Sequence, residues 1–403
     1  MRTFKNFSLF ILALALTACN IEAVDGDDDD DPDTEVYYRN VSADYLPSGL
    51  SGSTQKAKAA DINGDGFPDI VLAINGQPNK ILLNDGSGDF SHISPVQLSS
   101  QGYTTQDLSI ADFNNNGNPD IIFVSGQGNP NELYINIGGG SFSDISNRIP
   151  VSNNSTSVET WDIDNDGAVD IFIGNIGQNT ILINNGNAFF TNQTDQRIPI
   201  RFTDTEDFTF GDVTGNQWWD IVTANRDNNR LYLNSGSGFF TDQTQFRIPF
   251  IQTAEESSHI SLVDIDGDGD LDLYIGNSTL ENSPYVQDRL LINDGEGFFS
   301  DETGNRLPQI TTNTSDAAFV DLDNDGNNNN RDFDVVLGNP NGGLWILINN
   351  GNGNFNNQTS NWIEEDYFPQ VNDIEVADFN RDGFWDLYLS VQNNPDQLLL
   401  QRN

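Results

Sequence analysis

The nine residues from Asp264 to Asp272 read DIDGDGDLD and put carboxylates at the first, third, fifth and ninth positions, with Gly269 at the sixth. Two carboxylates about 4 Å apart repel by roughly 4 kcal/mol at an effective dielectric near 20, so such a loop is strained until a cation enters. Hard oxygen donors without His or Cys point away from zinc, and many protein oxygens favour calcium over magnesium. The glycine supplies the positive φ that a tight ligand loop needs.

The pattern recurs. Asp264, Asp266, Asp268 and Asp272 form its fullest copy together with Asp162, Asp164, Asp166 and Asp170. Copies with amides in place of carboxylates are Asp61, Asn63, Asp65 and Asp69; Asp112, Asn114, Asn116 and Asp120; and Asp378, Asn380, Asp382 and Asp386. A longer copy offers Asp321, Asp323, Asp325 and, after five extra residues, Asp334. The fourth copy, DVTGNQWWD from Asp212, lacks both the third-position oxyacid and the glycine and is expected to stay empty. Five or six Ca2+ per chain follow. The competing reading is that polar Asx-turns close these loops without metal. An EF-hand is excluded because position twelve is Leu72, Ile173 or Ile275, inside a β-type run, where an EF-hand needs Glu.

Placing seven such loops requires a repeated scaffold. The first Asp falls at 61, 112, 162, 212, 264, 321 and 378, in steps of 51, 50, 50, 52, 57 and 57 residues. Within each unit one apolar run ends at the loop and a second begins after the ninth position, as in Leu273-Tyr274-Ile275. A third follows, such as Leu290-Leu291-Ile292, and then an aromatic-led fourth, such as Phe298-Phe299-Ser300. The fold expected is all-β: a seven-bladed β-propeller of four-stranded antiparallel blades. The last unit ends after its third run, and Tyr37-Tyr38-Arg39-Asn40 parallels the fourth runs elsewhere. The N-terminal strand is therefore expected to complete the last blade and close the ring.

A formal charge of −44 works against nucleic acid and anionic lipid headgroups and favours cations. Residues 1–18 carry Arg2 and Lys5 before an apolar run too short to span a bilayer. The run ends in Leu16-Thr17-Ala18-Cys19, which resembles the bacterial lipobox; by that resemblance Cys19 is the lipidated first residue of the mature chain. Asn20 rather than Asp after it favours the outer membrane, facing the periplasm or the cell surface. Residues 19–35, including DGDDDDDPD from Asp25, read as an acidic tether, and 36–403 as the propeller. Cys19 is the only cysteine, so no disulfide or thiolate site is expected downstream.

With its seven in-phase loops the chain from Tyr37 to Asn403 resembles the FG-GAP/VCBS repeat family, the seven-bladed propellers that include the integrin α-subunit head. Phe210-Gly211 keeps a literal FG, while the other blades do not and the GAP element is absent, which places it nearer the bacterial FG-GAP-like branch. The resemblance implies calcium-stabilised binding propellers used in adhesion and glycan recognition and sometimes attached to enzymes.

Alternating strand direction puts the loops between second and third strands, and the connections between blades, on the face opposite the calcium loops. Tyr285, in the long loop after the fifth motif, and Trp362 and Tyr367, between the last two blades, are candidates for a ligand surface there. Packing between blades is the competing role. Arg148, Arg197, Arg247 and Arg306 each lie two residues before a proline and are expected to pair with carboxylates. No HExxH, GxSxG or phosphate-binding glycine loop occurs, and His92 and His259 sit in different strand contexts. The expectation is a non-enzymatic binding or adhesion module for a glycan or protein ligand. A carboxylate-based carbohydrate-active enzyme and a structural subunit of an envelope complex are the alternatives.

Overall fold

A computed structural model describes residues 37–402 apart from 51–52, 152–153, 250–255, 279–286, 325–331, 365–366 and 368. The expectations placed on Cys19, the acidic tether, Asp325 and Tyr285 lie outside the described residues.

Blade five shows the unit. Its strands Glu256–Val263, Asp272–Ser278, Arg289–Asn293 and Phe299–Asp301 pair antiparallel in chain order. The second strand is apolar on both faces because each blade is covered by a neighbour on either side, and in blades one and two every residue of this strand is buried. The first strand carries a β-bulge, as between Ser257 and His259. A short helical turn follows the fourth strand. In Thr303–Arg306 the Thr303 hydroxyl oxygen accepts the Leu290 amide of the third strand, so the motif Phe-x-Asp-x-Thr locks the outer edge of the blade.

Two blades depart from this unit. The fourth strand of blade one is Val96–Gln97 and is not aromatic-led; Phe90 instead packs into the core, its amide donating to the Tyr45 carbonyl. In blade three the second strand runs on through Asp170–Gly177, and Ile176 and Gly177 pair with Asp204 and Thr203. That joins blades three and four into one eight-stranded sheet.

The core lies between blades rather than within them. Seven apolar clusters occur among the described residues, one at each interface of successive blades. An open array of seven blades would have six. The seventh cluster packs Ala57, Ile70 and Leu72 of blade one against Phe379, Tyr388 and Leu398 of blade seven. As the sequence predicted, Tyr38, Arg39 and Asn40 pair with Gln401, Leu400 and Leu399 to supply the last blade's outer strand.

Around the axis, the residue five before each loop's first Asp faces the hub: Lys56, Asp107, Ser157, Asp207, His259, Asp316 and Asp373. Asp107, Asp207, Asp316 and Asp373 accept the backbone amides of Val158, Ile260, Ile374 and Ala57, each on the first strand of the next blade. Two residues earlier in the chain, a Thr or Ser makes a second stitch in four of the blades: Thr205 with Asn179, Ser257 with Asn229, Thr314 with Asp288, and Thr54 with Asp396. The closing seam thus carries the same bonds as the others.

Candidate metal centres

Each loop is framed from its ninth residue. Asp69, Asp120, Asp170, Asp220, Asp272, Asp334 and Asp386 are fully buried. In every copy Oδ2 accepts the amide of the loop's second residue, for example Ile163 at 2.9 Å from Asp170, and Oδ1 accepts an amide at the end of the third strand, there Asn184 at 2.8 Å. Burial pushes these carboxyls up, to about 6 at Asp69 and Asp120 and to about 7 at the other five. A nearby cation offsets that cost. The ninth Asp is therefore a hairpin staple even in the fourth copy, a second role that ligand spacing alone did not reveal.

The first Asp organises the turn. In blade three Asp162 accepts the amides of Asp166 and Gly167 at 2.9 and 2.8 Å, and blades one, two, four and seven repeat the arrangement. The sixth residue has positive φ in every described copy, Gln217 (+71°) included; so does the fourth, where Asn115, Asn165, Asn324 and Arg381 are not glycine.

The copies then divide. Asp162, Asp164 and Asp166 bring one oxygen each to within 4.8 Å of one another, as do Asp264, Asp266 and Asp272, and Asp321, Asp323 and Asp334. In blades two, three and five a third-position oxygen, Asn114 Oδ1, Asp164 Oδ1 or Asp266 Oδ1, is buried with no hydrogen-bond partner. A buried oxygen left unpaired costs about 1–3 kcal/mol. Oxygen-only sets with such an atom fit a hard divalent ion, and calcium would be held there by positions one, three, five and nine.

In blades one and seven the third-position amide turns onto the fifth carboxylate, Asn63 Nδ2 to Asp65 at 2.8 Å and Asn380 Nδ2 to Asp382 at 3.0 Å. An ion there must displace that bond. In blade two Asn116 spends its amide on the Asn136 carbonyl and its oxygen on the Asn118 amide. The fourth loop is satisfied without an ion: Asp212 takes the Thr214 hydroxyl and the Asn216 and Gln217 amides.

Six of the seven loops also take a side-chain amide from a neighbouring blade. Asn136, Asn184, Asn293, Asn349 and Gln401 end third strands and donate side-chain amides to the second-residue carbonyls of Ile62, Phe113, Val213, Ile265 and Leu322 in the preceding loops; at the closing seam Asn84 donates to Phe379. The expected arginine pairing is realised in two blades, Arg197 with Asp164 at 2.7 Å and Arg306 with Asp266 at 3.2 Å. Arg148 and Arg247 instead meet backbone carbonyls and stack over Phe189 and Phe298.

The candidate ligand surface changes. Trp362 is 2% exposed and packs in the core between blades six and seven against Tyr37 and Tyr38. It ends the helical turn where blades two to five have Arg, and its indole fills the interface. Tyr367 is half-buried on the same cluster, its hydroxyl bonded to Gln397. What the sequence did not single out lies on blade three, on the side of the 2–3 turns. There Val151, Gln178, Thr180, Asn192, Asp195 and Gln196 line an open groove of about 330 Å³. The Arg201 amide donates to Gln178 Oε1, and the residues on either side of Arg201, Ile200 (58% exposed) and Phe202 (82% exposed), are open to solvent.

The model of the FG-GAP-like repeat matches residues 61–123, 112–173, 162–223, 212–275 and 328–389, windows that run from one loop into the next blade's second strand. No curated protein matches the sequence. Among solved structures, a lectin of Agrocybe aegerita described for its recognition of non-reducing terminal N-acetylglucosamine is 17% identical. It aligns over 88% of this chain and 87% of its own with a TM-score of 0.53. The BBS1N chain crystallised with ARL6DN is 13% identical over 89% of this chain and 95% of its own, with a TM-score of 0.57. These identities speak for the fold alone. With five matched repeats covering more than half its length, the chain belongs to the FG-GAP-like repeat family.

Proposed function

We propose that the protein is a calcium-stabilised binding propeller, held at the outer membrane by a lipid on Cys19 and the acidic run behind it, that recognises a glycan through blade three. The observation that carries the binding role is the blade-three groove, whose wall residue Gln178 bonds the chain one residue before the exposed Phe202. On a chain of charge −44 its lining is almost all uncharged amide, hydroxyl and apolar groups, with Asp195 the one carboxylate. Neutral polar groups beside an exposed aromatic ring suit a sugar, whose hydroxyls need donors and acceptors and whose C–H face stacks on a ring. The volume falls at the low end of small-ligand pockets, about 300–1,000 Å³. A lectin among the similar folds supports the same reading.

The experiment is a glycan array probed with the calcium-loaded chain and with Phe202→Ala. Retention of intact glycans by the wild type and loss in the variant supports the proposal. Shortened or unsaturated products would make the protein an enzyme. Capture of a protein but no glycan would move the ligand to the protein class, in line with the partner-bound BBS1N fold.

A further inference from the structure

We propose that Arg197 makes the calcium loop of blade three the anchor of blade four, the blade whose own loop needs no ion. The inference rests on the reading that the loop at Asp162 takes calcium. Arg197 ends the helical turn Thr194–Arg197 and is 7% exposed. Its guanidinium is held at three points: Nε donates to Gln193 at 2.8 Å, Nη2 to Asp164 Oδ2 at 2.7 Å, and Nη1 to the carbonyls of Ser237 and Gly238 at 3.0 and 3.2 Å. Ser237 and Gly238 belong to the 3–4 hairpin of blade four. Gly238 has φ +69°, and a Cβ there would collide with Arg197 Nη1 and lie 2.9 Å from the Ile163 carbonyl, so glycine is what admits the arginine.

The other oxygen of the same carboxylate, Asp164 Oδ1, is buried without a partner. One carboxylate thus faces two cations, an ion in the loop through Oδ1 and the guanidinium through Oδ2. Fixing Oδ1 on the ion fixes Oδ2, and with it the fork that grips blade four. The sequence supplies its own contrast. Arginines follow the fourth strand in blades two, three, four and five, yet they meet a carboxylate only in blades three and five, where the third loop residue is Asp. Arg306 repeats the relay, with Nη2 3.2 Å from Asp266, whose Oδ1 is likewise unpartnered, and Nη1 2.9 Å from the Asn352 carbonyl of blade six. Blade four is the cleaner case because Asp212 is satisfied by Thr214, Asn216 and Gln217.

Amide hydrogen exchange with and without calcium tests this. The Gly236 and Gly238 amides, both donating to Asn234 Oδ1, report blade four's hairpin, and Gly167 reports the loop of blade three. In the wild type calcium should slow both sets, the hairpin by roughly tenfold, the worth of about one charge-assisted hydrogen bond. In Arg197→Met calcium should still slow Gly167 and leave the hairpin unchanged. Arg197→Lys, with one point charge for a fork, should give an intermediate response and serves if the Met variant does not fold. A wild type whose Gly167 responds while the hairpin does not overturns the relay alone. So does a hairpin that responds equally without Arg197. No response at Gly167 removes the calcium reading and the relay together.

Discussion

The ammonium of Lys56, on the first strand of blade one, lies 2.7 Å from a carboxylate oxygen of Asp373 on the first strand of blade seven. It also reaches Asp316 of blade six at 3.4 Å, so one side chain ties three blades across the hub at the point where the ring closes. Burial alone would lower this amine; the carboxylates of Asp316 and Asp373 outweigh it and hold Lys56 well above its ordinary value.

Lys56→Met is expected to be costly because it leaves the buried Asp373 without its counter-ion and Asp316 with His259 alone. Breaking a buried pair from one side costs about 3–5 kcal/mol. Urea unfolding should show a loss of that size. A loss below about 1 kcal/mol would mean that the hub carboxylates are held by their backbone amides alone.

His259 sets the alkaline limb of stability. Its Nδ1 lies 3.2 Å from Asp207 and 3.1 Å from Asp316, and Nε2 faces the Ser261 hydroxyl at 2.7 Å. Burial would lower the imidazole, but hydrogen bonds to the two carboxylates raise it to about 9. Because the folded value exceeds the unfolded one of about 6.5, the stabilisation is complete below pH 6.5 and is lost as pH rises through 9; the full span is worth about 3 kcal/mol. The difference in unfolding free energy between wild type and His259→Asn should shrink across that window. A difference that stays constant with pH would place the charge elsewhere.

The closing seam can be weakened without touching the loops. The Thr54 hydroxyl donates to Asp396 Oδ2 at 2.6 Å, and the Tyr388 hydroxyl donates to the same oxygen at 2.8 Å. Thr54→Val should cost about 1–3 kcal/mol by withdrawing one buried donor. Exchange should quicken at Val41 and Leu398, whose amides lie along the N-terminal strand. Unchanged protection there would detach the strand from the seam.

Much of this architecture was legible because the loop motif is chemically conspicuous and its spacing regular. The pairing of Tyr38 with Gln401 followed from the match between Tyr37-Tyr38-Arg39-Asn40 and the other fourth strands. The hub was not legible, although it stands at a fixed offset of five residues before each loop. Four of the seven are Asp, but the others are Lys, Ser and His, so no single side-chain type marks the position, and only their convergence on the axis makes them a network. Trp362 misled for a related reason. Aromatic residues in an interblade connection have the composition of a binding surface, and whether the ring points outward or fills the place Arg197 and Arg306 hold elsewhere is decided by packing. The blade-three groove needed the strand extension through Ile176 and Gly177, which no periodicity announces.

The most direct test of the account is to count the calcium bound per chain, by equilibrium dialysis with elemental analysis, in the wild type, Asp162→Asn and Asp212→Asn. The calcium reading of the loops predicts five or six ions in the wild type, one fewer in Asp162→Asn, and the wild-type count in Asp212→Asn, because the fourth loop has Thr214 and Asn216 where blade three has Asp164 and Asp166. A wild-type chain that retains no calcium, or an Asp212→Asn chain that loses an ion while Asp162→Asn loses none, would contradict it.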